Sequence, residues 1–245
     1  MTGHVNYRKL RLARVAHYAR LMERGGWLIA QPLIFDESEK LIDGQTRLNA
    51  VIKYGKAVQF IVLHNVPANS TACIDNGLTR SASDVLGNFL TSGAKDVQTI
   101  LRAIRQGDAK NSAENMVYNC EVEELYDLFK DGIDFCLKCL TPKQPHRCIG
   151  PVFGAFGRAA LTLEKSKLPE LERCARVFMS EHYTEDRDVT MLSLNKCLRS
   201  YNLNRGGAVR SDIYIKTARA ISAWLNHECL TRLYVVTTDD PFKLA

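Results

Sequence analysis

The strongest constraint on the fold is a change of hydrophobic rhythm about a third of the way along the chain. Short β-type runs are confined almost entirely to the first ninety or so of 245 residues, and nearly everything after them repeats at helical spacing. Too few strands remain beyond that point to enlarge a sheet, so the chain is expected to be α+β: a small mixed N-terminal domain over 1–92, then an α-helical domain over 93–245. The boundary is placed at Thr91-Ser92-Gly93.

In the first part, Leu10, Val15, Tyr18, Ala19 and Met22 form an apolar stripe between Tyr7 and Glu23, and Gly25-Gly26 stops the helix. Trp27 to Phe35 is rich in β-formers, Asp36-Glu37-Ser38 interrupts it, and Leu41-Ile42 runs into Asp43-Gly44, which predicts a hairpin. Helical spacing returns from Thr46 to Tyr54 and ends at Gly55, and Val58 to Leu63 reads as a further strand. Ser81 is placed to cap a helix with Asp84 in its first turn. Helices are expected over about 81–92, 95–107, 119–139, 150–165, 168–182, 189–200 and 209–227, with a short β-like run at Arg232 to Thr237.

A hydrophobic fraction of 46% with no long apolar run argues against a membrane span, and the polar, basic beginning is unlike a secretory signal. A cytoplasmic protein is expected, with its eight cysteines reduced rather than paired. The formal charge of +6 favours polyanionic partners. Arg8, Arg11 and Arg14 belong to a basic first segment, and Arg205 and Arg210 to a basic stretch around Gly206-Gly207. Both stretches are candidate DNA-contacting surfaces, and both also read as solvated helix faces.

Asp43-Gly44-Gln45-Thr46-Arg47 falls where a strand ends and a helix begins. Free backbone N–H groups, a permissive glycine and a guanidinium converge there, which is the chemistry of an anion site. Arg47 has the planar fork that pairs two phosphate oxygens, and Asp43 would accept from a ribose hydroxyl, hold a metal through water or orient Arg47. Asp75-Asn76-Gly77, with Arg80 and Ser81, sets another acid and arginine beside a second helix start. If the two strings meet, Asp43 and Asp75 would be the acids for a divalent cation such as Mg, and Arg80 and Ser81 secondary phosphate contacts; the other reading is a tight turn and a helix cap. Cys136, Cys139, His146 and Cys148 approach the spacing of a zinc knuckle, but Phe135, Leu137 and Leu140 continue an apolar helical pattern through them, so zinc is not expected.

The strings Val15 to Met22, Gly26-Trp27, Gln31 to Asp36, Leu41 to Leu48 and Ile74 to Leu86, with Asn204 to Gly207 and Ala223-Trp224, resemble the ParB/sulfiredoxin-like proteins of phages and mobile elements. The resemblance implies that fold for the N-terminal domain and a phosphate pocket formed by Gly44, Gln45, Thr46 and Arg47. It leaves function open, because relatives include partition proteins that bind and hydrolyse CTP, sulfiredoxins, a free-serine kinase and nucleases. Sulfiredoxins carry a nucleophilic cysteine where this chain has Gln45, so that activity is not expected. Partition proteins carry a glutamate there, and Gln45 offers no titratable base.

The expected function is therefore binding of DNA or a nucleotide through this pocket. The alternatives are a metal-dependent nuclease, a kinase acting on a small molecule or nucleotide, or an interaction protein that inhibits a host defence factor. Self-association through the helical part also remains open.

Overall fold

The computed structural model describes residues 10–27, 31–68, 70, 81–87, 90–110, 115–141, 146–201, 206–234 and 240–244. The chain divides into two compact units, Met1–Thr79 and Arg80–Ala245. The first is a small mixed α/β region and the second is predominantly helical.

In the first unit α1 (Leu12–Glu23) turns Val15, Ala19 and Met22 inward at spacings of three and four residues. These side chains meet Ala50 of α2 (Gln45–Tyr54), with Tyr18, Trp27 and Phe60 closing the cluster. The ring of Trp27 stands edge-on to both Tyr18 and Phe60. Gly55 ends α2 in the left-handed conformation, its N–H donating to the Val51 carbonyl.

Strands β1 (Leu33–Asp36) and β2 (Leu41–Asp43) form the expected hairpin, and β3 (Val62–Val66) joins the other side of β1 in parallel, giving the order β2-β1-β3. The hairpin turn is held by Asp36, whose Oδ1 accepts from the N–H groups of Ser38 and Lys40. The third strand lies later than the apolar run at Val58 suggested. Val58 and Phe60 pack against the helix cluster, while Ile61, Val62 and Leu63 remain exposed.

The second unit contains α3 (Ala82–Leu86), α4 (Ala94–Gln106), α5 (Val122–Leu128), α6 (Lys130–Cys139), α7 (Gly150–Thr162), α8 (Leu168–Ser180), α9 (Asp188–Ser200) and α10 (Gly207–Leu225). Ala82 and Leu86 of α3 bury in the helical core, so α3 lies with the second unit and the division falls before Ser81, not near residue 92. The helix expected over 119–139 is two helices, because Phe129 leaves the helical region at φ −102°, ψ 9° and turns its ring into the core. Arg232 to Tyr234 form no strand; the remainder of that expected run lies outside the described residues.

Helix α7 is the centre of this unit, and small residues put it there. A Cβ on Gly154 would sit 2.6 Å from the carbonyl oxygen of Ala103 on α4, and one on Gly157 would sit 2.6 Å from Ile104. Gly132 of α6 approaches the Gly157 carbonyl as closely, since its Cβ would lie 2.7 Å away. The backbones themselves are in contact at these crossings, where a larger residue would force the helices apart. Phe135, Phe156 and Phe178 then stack across α6, α7 and α8 at 6.4 and 5.6 Å.

Two buried arginines tie distant segments to this core. Arg158 of α7 donates from Nε to the Ile104 carbonyl and pairs with Asp240, while Asp240 also accepts from the Tyr214 hydroxyl at 2.6 Å. Arg187 lies over the Trp224 ring at 3.9 Å and pairs with Glu170 and Glu185. No helix among the described residues is long and apolar enough to cross a membrane.

Candidate functional site

The turn from β2 into α2 is built by Gly44. Its φ of 113° is left-handed, and a Cβ there would lie 2.4 Å from Cδ2 of Leu33, so both conformation and space demand glycine. The chain consequently enters α2 with Gln45 as the first helical residue, and no side chain caps the N-terminus. Gly44 has no side chain with which to cap it, so the ten-residue helix presents the positive end of its dipole near Gln45 and Thr46. Both of these residues are partly exposed.

Arg47 does not point out from this turn. Its residue is 7% exposed, and the guanidinium folds back beneath the helix start. Nη2 donates to Asp43 Oδ2 at 2.5 Å and to the Pro32 carbonyl at 2.7 Å, while Nη1 donates to Gln31 Oε1 at 2.9 Å. Its Nε is buried without a hydrogen-bond partner among the described residues. Of the three uses considered for Asp43, orienting Arg47 is the one the geometry displays. The i,i+4 spacing makes that pair readable in the sequence; the part played by Gln31 and the Pro32 carbonyl is not, since no local pattern links them to residue 47.

No family model matches the chain, and no curated protein or solved structure does.

The other candidate residues separate. Ser81 closes a capping box with Asp84: its Oγ accepts from the Asp84 N–H, and its own N–H donates to Asp84 Oδ2 at 2.6 Å. Those groups serve the start of α3, a helix of five residues in the second unit. Asp75 and Arg80 lie outside the described residues, as do Arg8 and Arg205. Arg11 and Arg14 are exposed at the start of α1, and Arg210 is exposed in the first turn of α10.

On α1 the positive charge acts on its own neighbour. Partial burial pushes the His17 imidazole below its ordinary pKa of 6.5, and the charges of Arg14 and Arg20 push it the same way. The helix therefore favours a neutral histidine, and its positive charge comes from arginine.

Cys136 and Cys148 are engaged within the helical core. The Cys136 thiol donates to the Phe153 carbonyl and is pushed up by complete burial, and the Cys148 thiol donates to the Leu140 carbonyl. Among the described residues, no three His, Cys, Asp or Glu side chains are grouped to hold a metal ion.

Proposed function

We propose that the first unit is a phosphate-binding module of ParB/sulfiredoxin-like fold, through which the chain engages a nucleotide or DNA. The observation that carries this reading is the start of α2, which Gly44 fixes and cannot cap, with a buried arginine held in its first turn. The Thr46 N–H and hydroxyl would receive phosphate oxygens. Arg47 lies in the same turn, with its charge shared with Asp43. Exposed Arg11 and Arg14 would steer a polyanion towards the unit without reading its sequence.

Binding is favoured over turnover because Asp43, the described acid of the turn, already holds Arg47. A nuclease or kinase would have to break that ion pair or work from the other carboxylate oxygen, with Mg as the natural co-ligand.

The test is equilibrium binding of a nucleotide panel, duplex DNA and single-stranded DNA, at low and moderate salt and with and without magnesium. Thr46→Val is expected to weaken ligand binding about tenfold, the value of one charge-assisted hydrogen bond, and Arg47→Lys to weaken it indirectly, by loosening the bonds to Asp43, Gln31 and the Pro32 carbonyl that hold the turn. Asp43→Asn separates binding from turnover, since an enzyme would lose its rate while a binding module keeps most of its affinity. If the wild-type chain binds none of these ligands, the reading fails and a host protein becomes the partner to pursue.

A further inference from the structure

The helical unit contains a cavity of about 580 Å³ whose described lining residues all belong to that unit. Its floor is apolar, made by Ala103 of α4 and Ile213 of α10, both buried. Arg102 of α4 and Arg210 of α10 line it as well, and among the described residues no aspartate or glutamate does. Neither guanidinium is paired with a carboxylate among the described residues. With its amide oxygen turned towards Arg102, one turn further along α4, Gln98 accepts from Arg102 Nη2 at 2.9 Å, which directs that guanidinium without neutralising it.

Two helix N-termini also open on this space. Gly150 and Pro151 are the first residues of α7, Val209 and Arg210 lie in the first turn of α10, and neither helix carries a side-chain cap. The room is real at Gly150, where a Cβ would meet nothing within 4 Å. One turn further on, Gly154 is sealed against the Ala103 carbonyl, so the cavity sits at the open end of the α4–α7 crossing.

Arg102 and Arg210 thus bring two guanidinium groups to one partly apolar space, a combination suited to an anion with an apolar body. The volume lies within the few hundred to about a thousand Å³ typical of small-molecule sites.

We infer that the helical unit carries its own binding site for a small amphipathic anion. The ligand class is an organic molecule with an apolar or aromatic body on Ala103 and Ile213 and a phosphate, sulfonate or carboxylate held by Arg102 and Arg210. The site's described residues all belong to the second unit, and none is shared with the phosphate module proposed for the first.

The experiment uses 8-anilinonaphthalene-1-sulfonate, whose fluorescence rises on entering an apolar site, beside the uncharged N-phenyl-1-naphthylamine. The full chain should bind the sulfonate saturably at a single site. Arg102→Gln combined with Arg210→Gln should weaken it by about tenfold or more, as expected for lost charge-assisted contacts, while binding of the uncharged dye is unchanged. Both arginines are exposed, so this variant keeps its fold, which far-UV circular dichroism checks. Gly150→Phe should exclude both dyes, and Thr46→Val should affect neither. AMP should displace the sulfonate at lower concentration than adenosine. Absence of saturable binding by the wild-type chain, unaltered affinity in the double variant, or displacement by a short DNA duplex but not by AMP would each overturn the site.

Discussion

The indole N–H of Trp224 donates to Oδ1 of Asp188 at 2.9 Å, joining the end of α10 to the start of α9 inside the helical core. The other carboxylate oxygen accepts from the N–H groups of Thr184 and Glu185 at 2.8 and 3.0 Å. Burial alone would raise this carboxyl, but the bonds from Thr184, Glu185 and Trp224 outweigh it and hold the group below its ordinary value of 3.8. The charged form is thus favoured in the folded state. Its contribution is complete above the ordinary carboxylate range and is lost as pH falls through the lower folded value. Asp188→Ala should cost roughly 2–4 kcal/mol at pH 7, through stranded donors and a lost helix-start acceptor. In urea titrations the gap between wild type and variant should narrow on going down to pH 3; a gap that stays constant would assign the loss to packing alone.

Arg158 and Asp240 are a buried pair at 3.0 Å, with side chains 8% and 4% exposed. Removing one partner leaves an uncompensated charge, so Asp240→Ala should destabilise by about 3–5 kcal/mol. Replacing Arg158 by Met together with Asp240→Leu should recover much of that loss, because an apolar pair needs no desolvated charges to be matched. Denaturation midpoints of the single and double variants decide between these outcomes.

Gly44→Ala tests the turn. The new methyl group combines a left-handed backbone with a clash at Leu33, and should cost about 1–3 kcal/mol. The loss should be confined to the first unit: amide exchange should quicken in α2 and β2 while protection in α7 and α10 is unchanged. Equal loosening in both units would mean that they unfold as one.

His17 provides a direct reading of the charge on α1. Its imidazole should titrate below pH 6.5, and Arg14→Gln should move the midpoint upward, followed by the ring-proton shift in NMR. Because the folded state prefers the neutral ring, acidification through its ordinary pKa should lower stability. A midpoint above 6.5 would show that α1 feels a net negative field.

Much of the order of elements was legible because it rests on local chemistry. Gly55 ends α2 as its left-handed conformation requires, Ser81 and Asp84 form the box their spacing predicts, and Val97, Ile100, Leu101 and Ile104 mark the buried face of α4. What the sequence concealed depends on partners far along the chain. Nothing near Arg158 announces Asp240, 82 residues later, and nothing near Arg47 announces that Gln31 and the Pro32 carbonyl will draw it inward. The turn from Asp43 to Arg47 was visible as a motif, but the direction of its arginine was a tertiary matter. Arg210 was readable as positive charge, whereas the cavity it shares with Arg102 exists only once α4, α7 and α10 have met.

Helix α7 meets α4 and α6 where Gly154, Gly157 and Gly132 let backbone and side chains come within reach of each other. In a saturation mutagenesis survey, these positions should therefore sort uncharged substitutions chiefly by volume, with charged ones worse than their size alone would make them. The middle of the second unit would register as a ruler, measuring how many atoms each replacement adds, while the phenylalanines around it would register the loss of atoms.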